Sequence, residues 1–389
     1  GLIWNMMMSM SGGWFFVVAS ESITVGNQSI ALPGMGAYLA QAISDKNLHA
    51  VGWVIVAMVV VILAYDQLLF RPLVAWADKF RMENTSSGDA PESWLLNLIR
   101  STRLIRRLLE PAGALLAKTA RMPIRLTPNA PRKPRRAAAS TSHAADVAWG
   151  TFILLLTIYV VYRVASYVSA EVTWGEVGHV FAMGFITLLR VVVLIALSSL
   201  VWVPLGVLIG LRPALAEKIQ PLAQFLAAFP ANLMFPVFVV VIVRWHLNPD
   251  IWLSPLIVLG TQWYILFNVI AGATAYPNDY REAAANFHIR GWQWWRQAML
   301  PGIFPYYVTG AITASGGAWN ASIVSELVQW GDTKLAAHGL GAYIAQTTAD
   351  GDFPKIILGI AVMSLFVTLF NRLLWRPLHA YAESRLRLD

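Results

Sequence analysis

Gly34-Met-Gly-Ala-Tyr-Leu-Ala-Gln41 returns as Gly339-Leu-Gly-Ala-Tyr-Ile-Ala-Gln346. The same offset pairs Glu21 with Glu326, Arg71-Pro72-Leu73 with Arg376-Pro377-Leu378, and Trp76 with Tyr381. A one-residue adjustment adds Ser11-Gly12-Gly13 against Ser315-Gly316-Gly317. Self-similarity at fixed spacing marks a duplicated architecture. The first copy starts to match almost at Gly1, so residues 1–83 read as the tail of one copy and 147–389 as a complete second copy, with a linker at 84–146. A chain that opens on Gly1 rather than Met is expected to continue upstream.

Working outward from the repeat, apolar residues make up 57% of the chain and charged ones 13%, about half the share usual in soluble domains. Apolar runs long enough to cross a bilayer as helix recur at 151–168, 181–211, 222–243, 251–272, 303–324 and 354–370. Runs at 2–23 and 51–70 are their counterparts in the shorter copy. Most lack the polar face of a soluble core helix, and the alternation of a membrane barrel is absent. The expected fold class is an all-α polytopic membrane protein. With no cysteine, disulfide and thiol chemistry are excluded.

The net charge of +8 is concentrated at 100–136, where eleven Lys and Arg face the single acid Glu110. Arg71, Arg212, Lys218, Arg281, Arg290, Arg296, Arg376, Arg385 and Arg387 also follow spans, whereas 169–179 carries none. By the positive-inside rule these basic segments and the C-terminus face the cytoplasm. Six spans lie between Arg71 and Arg376, so both copies share one orientation, related by an axis along the membrane normal. Residues 94–109 read as a basic amphipathic helix on anionic lipid, and 123–142 as a disordered linker, which accounts for the charge without nucleic acid.

The loop 277–301 carries the motif with functional content. It reads Tyr280-Arg281-Glu282-Ala283-Ala284-Ala285, then Gly291, Leu300-Pro301 and Pro305. Asp279 and Glu282 have capping-box spacing, predicting a short helix from about Tyr280. Trp292, Trp294 and Trp295 read as an interfacial aromatic belt rather than as docking residues. This pattern resembles the EAA loop of ABC-importer permeases. Thr187-Leu188-Leu189-Arg190 and Phe229-Pro230 with Pro236 are similar to the nitrate/sulfonate/taurine branch, and the duplication resembles the fused permease component of anion transporters. The resemblance implies a MetI-like transmembrane domain, one complete six-helix unit plus the last two helices of a preceding copy. It implies a bacterial inner-membrane permease importing a small anion of the nitrate, sulfonate, taurine or bicarbonate class. It also implies two copies of a cytoplasmic ABC ATPase and an extracytoplasmic solute-binding protein as partners. Glu282, Ala283, Ala284, Gly291, Leu300 and Pro301 would form the coupling loop. One departure stands out: the glycine usual six residues after the glutamate is His288 here.

The chain has no Walker A pattern, metal-ligand spacing or nucleophile elbow, so no catalytic site, metal or cofactor is expected, and ATP hydrolysis belongs to another subunit. Gly34-Met-Gly36 and Gly339-Leu-Gly341 read as turn chemistry between spans. For the substrate path, Arg190 and Thr187 in the second span are candidates, because a buried guanidinium suits an oxyanion. The alternative is that Arg190 pairs structurally with Glu326 or another acid. In the fifth span Trp319, Asn320 and Ser322 are candidates, with Thr313, Ser315, Gly316 and Gly317 read as helix packing. The runner-up function, an ion-coupled secondary transporter with duplicated halves, would need embedded carboxylates or broken helices.

Overall fold

A computed structural model of the chain describes residues 12–26, 28–77 and 143–386. Residues 1–11 and the linker expectations at 94–109 and 123–142 lie outside the described residues. In chain order the elements are α1 (12–20), β1 (Ser22–Val25), β2 (Gln28–Ala31), α2 (Met35–Ser44), α3 (Leu48–Tyr65), α4 (Arg71–Ala77) and α5 (His143–Glu171). Next come α6 (Trp174–Gly210), α7 (Pro213–Ala228), α8 (Phe235–Arg244), α9 (Gln262–Thr274), α10 (Asn278–Asn286) and α11 (Leu300–Ser325). The chain closes with β3 (Leu327–Trp330), β4 (Thr333–Ala336), α12 (Leu340–Asp350), α13 (Phe353–Phe370) and α14 (Arg376–Arg385). Two compact units result: Gln67–Glu171 forms one, and the segments before and after it form the other.

Among the described residues, four helical stretches are long and apolar enough to cross a membrane: Leu48–Leu73, Asp146–Glu171, Trp174–Gly210 and Phe353–Arg385. The runs expected at 222–243 and 251–272 are not single straight helices. Pro213–Ala228 meets Ala231–Arg244 at 72°, and Pro249–Leu259 meets Gln262–Thr274 at 45°. The first bend has a plain cause. Pro230 has no N–H and pushes Phe229 out of the helical region, to ψ 124°. Ala231, Asn232 and Leu233 follow as a buried single turn, where non-helical backbone is tolerated because protein covers it. At the second bend, the carbonyl of Leu259 accepts from the Trp263 indole at 3.0 Å. The run at 303–324 is helical within α11 but too polar to count among the four.

Three π-helical stretches occur among the described residues: Asp66–Phe70, Trp295–Met299 and Asn371–Trp375. Each is followed by a residue and then a proline, Pro72, Pro301 or Pro377. A proline ring clashes with the carbonyl four residues earlier, and in all three cases that residue (Leu68, Gln297, Leu373) is the centre of the π stretch. The widened turn lets the helix continue past the proline.

The larger unit packs α9 against α6 and α11 through glycines. A Cβ on Gly206 would lie 2.8 Å from Val269, and one on Gly210 would lie 2.7 Å from the Ala273 Cβ. A Cβ on Gly310 would lie 2.6 Å from the Tyr264 carbonyl oxygen. Small residues let membrane helices approach this closely. The chain's first segment supplies a second core, in which Val18, Leu39, Val51, Val54, Met58 and Ile62 surround Leu233, delivered by the bend at Pro230.

Elements recur at the offset of the sequence repeat. The hairpins share a register, Ser22↔Ala31 and Leu327↔Ala336. Their turns place Gly26 and Gly331 at φ 58° and 57°. Asn47 and Asp352 then cap the following helices, accepting from the N–H groups of Ala50 and Lys355.

Candidate functional site

The glutamate that ends α11 organises one end of the larger unit. Glu326 is 1% exposed. Its carboxylate accepts from the hydroxyl of Thr187 at 3.0 Å, from the N–H groups of Gly341 at 2.8 Å and Ala342 at 3.2 Å, and from the Arg190 guanidinium. Thr187 in turn accepts from the N–H of Leu340 at 2.8 Å. The first turn of α12 thus surrounds a carboxylate with donors, the arrangement that a helix N-terminus offers any anion. Arg190 spends its other nitrogen on the His338 carbonyl at 3.0 Å and lies 3.6 Å from the Asp250 carboxylate. Asp250 accepts from the His338 N–H at 2.6 Å.

This geometry accounts for the repeated Gly-x-Gly, and turn chemistry is not the reason. Gly34 and Gly339 have φ near ±180°, ordinary extended backbone. A Cβ at either would overlap the carboxylate of Glu21 or Glu326. Gly36 donates its N–H to Glu21 as Gly341 does to Glu326. The motif is therefore a socket for the chain's own glutamate.

The path residues expected from sequence separate in the structure. Thr187, Trp319 and Ser322 are buried, at 0%, 2% and 0% exposure, and Arg190 is ion-paired. Trp319 stacks on Phe366, and Ser322 donates to the Trp319 carbonyl at 2.7 Å. None of them presents a free polar group to an open space; the pairing of Arg190 with Glu326 is the arrangement observed. Asn320 alone is exposed, and it lies on a stripe with Tyr306, Thr309, Thr313 and Gly316. Those positions are spaced three and four apart, so they share one face of α11. Sequence reasoning passed over Thr309 and assigned Thr313 and Gly316 to packing. The spacing of polar and small residues was the available signal. At its α10 end the stripe enters an open cavity of about 450 Å³, lined also by Pro277, His379 and Glu383. His379 and Glu383 are 3.6 Å apart on α14.

The loop 277–301 forms α10, which begins at Asn278 rather than at Tyr280. Its N-cap is Pro277 and makes no side-chain bond, so the expected capping box of Asp279 and Glu282 is not formed. Glu282 is exposed, Ala283 half-buried and Ala284 buried. Phe287 is 79% exposed and Tyr280 49%. The helix ends in a Schellman motif: Ile289 donates to Ala284 at 2.9 Å and His288 to Ala285 at 3.1 Å. His288 has φ 56°, the left-handed conformation that glycine takes freely. The turn is thus made with a histidine where the resembling family has glycine. Gly291 follows at φ 55°, and Leu300 and Pro301 open α11.

Residues 202–376 match the family described as the binding-protein-dependent transport system inner membrane component. The chain is 26% identical over 187 residues to the nitrate import permease protein NrtB of Leptolyngbya laminosa, covering 48% of this chain and 63% of that protein. The bicarbonate transport system permease protein CmpB of Synechocystis sp. is 25% identical over 177 residues, 46% of this chain and 60% of the relative. CmpB of Synechococcus elongatus is 26% identical over 186 residues, 48% and 64% respectively. The chain therefore spans about three fifths of the length of these relatives.

Proposed function

We propose that this chain, whose residues 202–376 match the binding-protein-dependent inner membrane component family, is an ABC-importer permease and forms part of the path by which a small oxyanion enters the cell. The relatives' names specify nitrate and bicarbonate. The carrying observation is α10, a capped helix of nine residues that presents Glu282, Tyr280 and Phe287 outward beside the cavity at the base of α11. A short helix that carries exposed aromatics, Tyr280 on it and Phe287 at its C-cap, is suited to fill a groove on a partner. That partner is a cytoplasmic ABC ATPase, in two copies to match two permease halves, with an extracytoplasmic solute-binding protein delivering the anion.

In this reading Tyr306, Thr309, Thr313, Gly316 and Asn320 line the path. The threonine hydroxyls of this stripe donate to carbonyls of their own helix, but the exposed amide of Asn320 is costly against lipid and belongs against water or solute. Neutral groups bind an anion weakly enough to release it, as conduction requires. Thr187, Arg190, Trp319 and Ser322 hold α6, α11 and α12 in register behind that face. The chain has no ATPase site of its own, sits in the bacterial inner membrane, and keeps α10, α14 and its C-terminus on the cytoplasmic side.

Two observations favour the secondary-transport alternative, the bent spans and the buried Glu326. Both are already occupied: protein covers the bend at Pro230, and Arg190 with the α12 N-terminus neutralises Glu326. The test is reconstitution of the full-length protein with its ATPase and binding protein. Nitrate, bicarbonate, taurine or an alkanesulfonate should stimulate ATP hydrolysis. Phe287→Asp should cut ATPase co-purification at least tenfold with thermal stability unchanged. Uptake driven by a proton gradient with no ATPase present would overturn the reading.

A further inference from the structure

The hairpin ends of the two halves exchange hydrogen bonds in a pattern that the proposed function leaves unused. Gly26, in the β1–β2 turn, donates its N–H to the Thr348 carbonyl at 3.3 Å. Gly331, in the β3–β4 turn, donates to the Ile43 carbonyl at 2.9 Å. Gly331 stands to Gly26 as Thr348 stands to Ile43, at the offset of the repeat. A contact in which one patch meets its counterpart reciprocally is the mark of a two-fold relation.

The acceptors are alike as well. Ile43 already accepts from Lys46 at 3.2 Å, and Thr348 from Gly351 at 3.1 Å, each closing the end of its own helix. The opposing turn takes the second lone pair of the same carbonyl. A Cβ on Gly351 would lie 3.2 Å from the Gly26 Cα, so the two backbones nearly touch. The pattern is uneven at one point. Lys46 occupies the place that Gly351 holds in the other half, and it reaches Asp332 beside the Gly331 turn at 2.7 Å.

We propose that these crossed contacts are the outer gate of the path, shut in this conformation, with Lys46–Asp332 as a latch on one side. The proposal rests on the permease reading. Its physical basis is position: the contacts join the two halves beyond the C-terminal end of α11, and the open cavity lies at its other end. The joining groups suit repeated opening: two single backbone bonds, and an ion pair whose partners are 49% and 98% exposed. Exposed pairs of this kind hold weakly and are screened by salt. The hydrogen bond and charge of Lys46 hold the Asp332 carboxyl below its ordinary range. The latch is therefore present at neutral and mildly acidic pH and is lost only as pH falls through that lowered value.

These 389 residues hold no cysteine, and any elsewhere in the full-length protein are first replaced by serine. Lys46→Cys and Asp332→Cys are introduced together into the full-length permease with its ATPase, and joined by a short bis-methanethiosulfonate. Uptake should fall at least tenfold on cross-linking and return on reduction. Cross-linking yield should differ at least fivefold between nucleotide-free and vanadate-arrested complexes. Complete cross-linking with unchanged uptake, or equal yield in every nucleotide state, would overturn the gate. Failure of the ATPase to co-purify with the reduced variant and with the unmodified protein alike would instead strike at the permease reading, and the gate would fall with it.

Discussion

Arg190 and Glu326 show how a single side chain's meaning depends on a partner far away in sequence. The pair is separated by 136 residues, and both side chains are less than a tenth exposed. Removing one member leaves a charge buried without its counterpart, which typically costs about 3–5 kcal/mol, whereas replacing both with apolar groups is often near neutral. Arg190→Met or Glu326→Met alone should therefore destabilise by about that amount, and the double variant by clearly less than the sum. Thermal unfolding in detergent, arranged as a double-mutant cycle, measures it. Sequence could flag Arg190, because a cation inside an apolar run is conspicuous. It could not choose between solute and Glu326 as partner, since that choice depends on how α6 and α11 cross. His288 is the opposite case. Its identity departs from glycine, yet the backbone takes the glycine conformation. Left-handed geometry costs a residue with a Cβ about 1–2 kcal/mol, partly offset by the greater chain entropy glycine loses. His288→Gly should stabilise the protein by up to about 1 kcal/mol, read as a higher melting temperature, with ATPase coupling retained.

Among the elements, the helices were legible and their bends were not. An apolar run of some twenty residues fixes a spanning segment by composition. A proline inside it says only that a bend is allowed. Pro204 lies within α6, which stays one helix, while Pro230 marks a 72° break. The difference is tertiary, because Leu233 is drawn into the core formed by the first segment. Helix α11, to which the proposed path is assigned, was half legible. Its small residues were visible, but which face meets neighbours depends on α9 and α12. Asn320→Leu and Thr313→Leu should each lower uptake at least fivefold at unchanged expression and thermal stability, because both side chains are exposed and hold no interhelical bond. Ser322→Ala, on the buried face, should lower stability along with uptake. Assaying both quantities on the three variants separates a lining residue from a packing one.

At the scale of the whole molecule, the repeat announced that two segments of one chain are alike, and the charge distribution leads to the expectation of a common direction. What lay beyond reach was how they touch, because the crossed bonds at Gly26 and Gly331 come from backbone groups that every residue carries. The π-helical stretches carry a further consequence, one of length. Each widened turn takes in one more residue than an α turn, so the stretch at Asn371–Trp375 absorbs a residue before α14 begins. Substitutions within that stretch change its chemistry but keep the width. Loss of a single residue would narrow the turn to an α turn and set the Pro377 ring against the carbonyl one turn earlier. There the chain conserves a count, and Asp66–Phe70 and Trp295–Met299 keep the same count ahead of their own prolines.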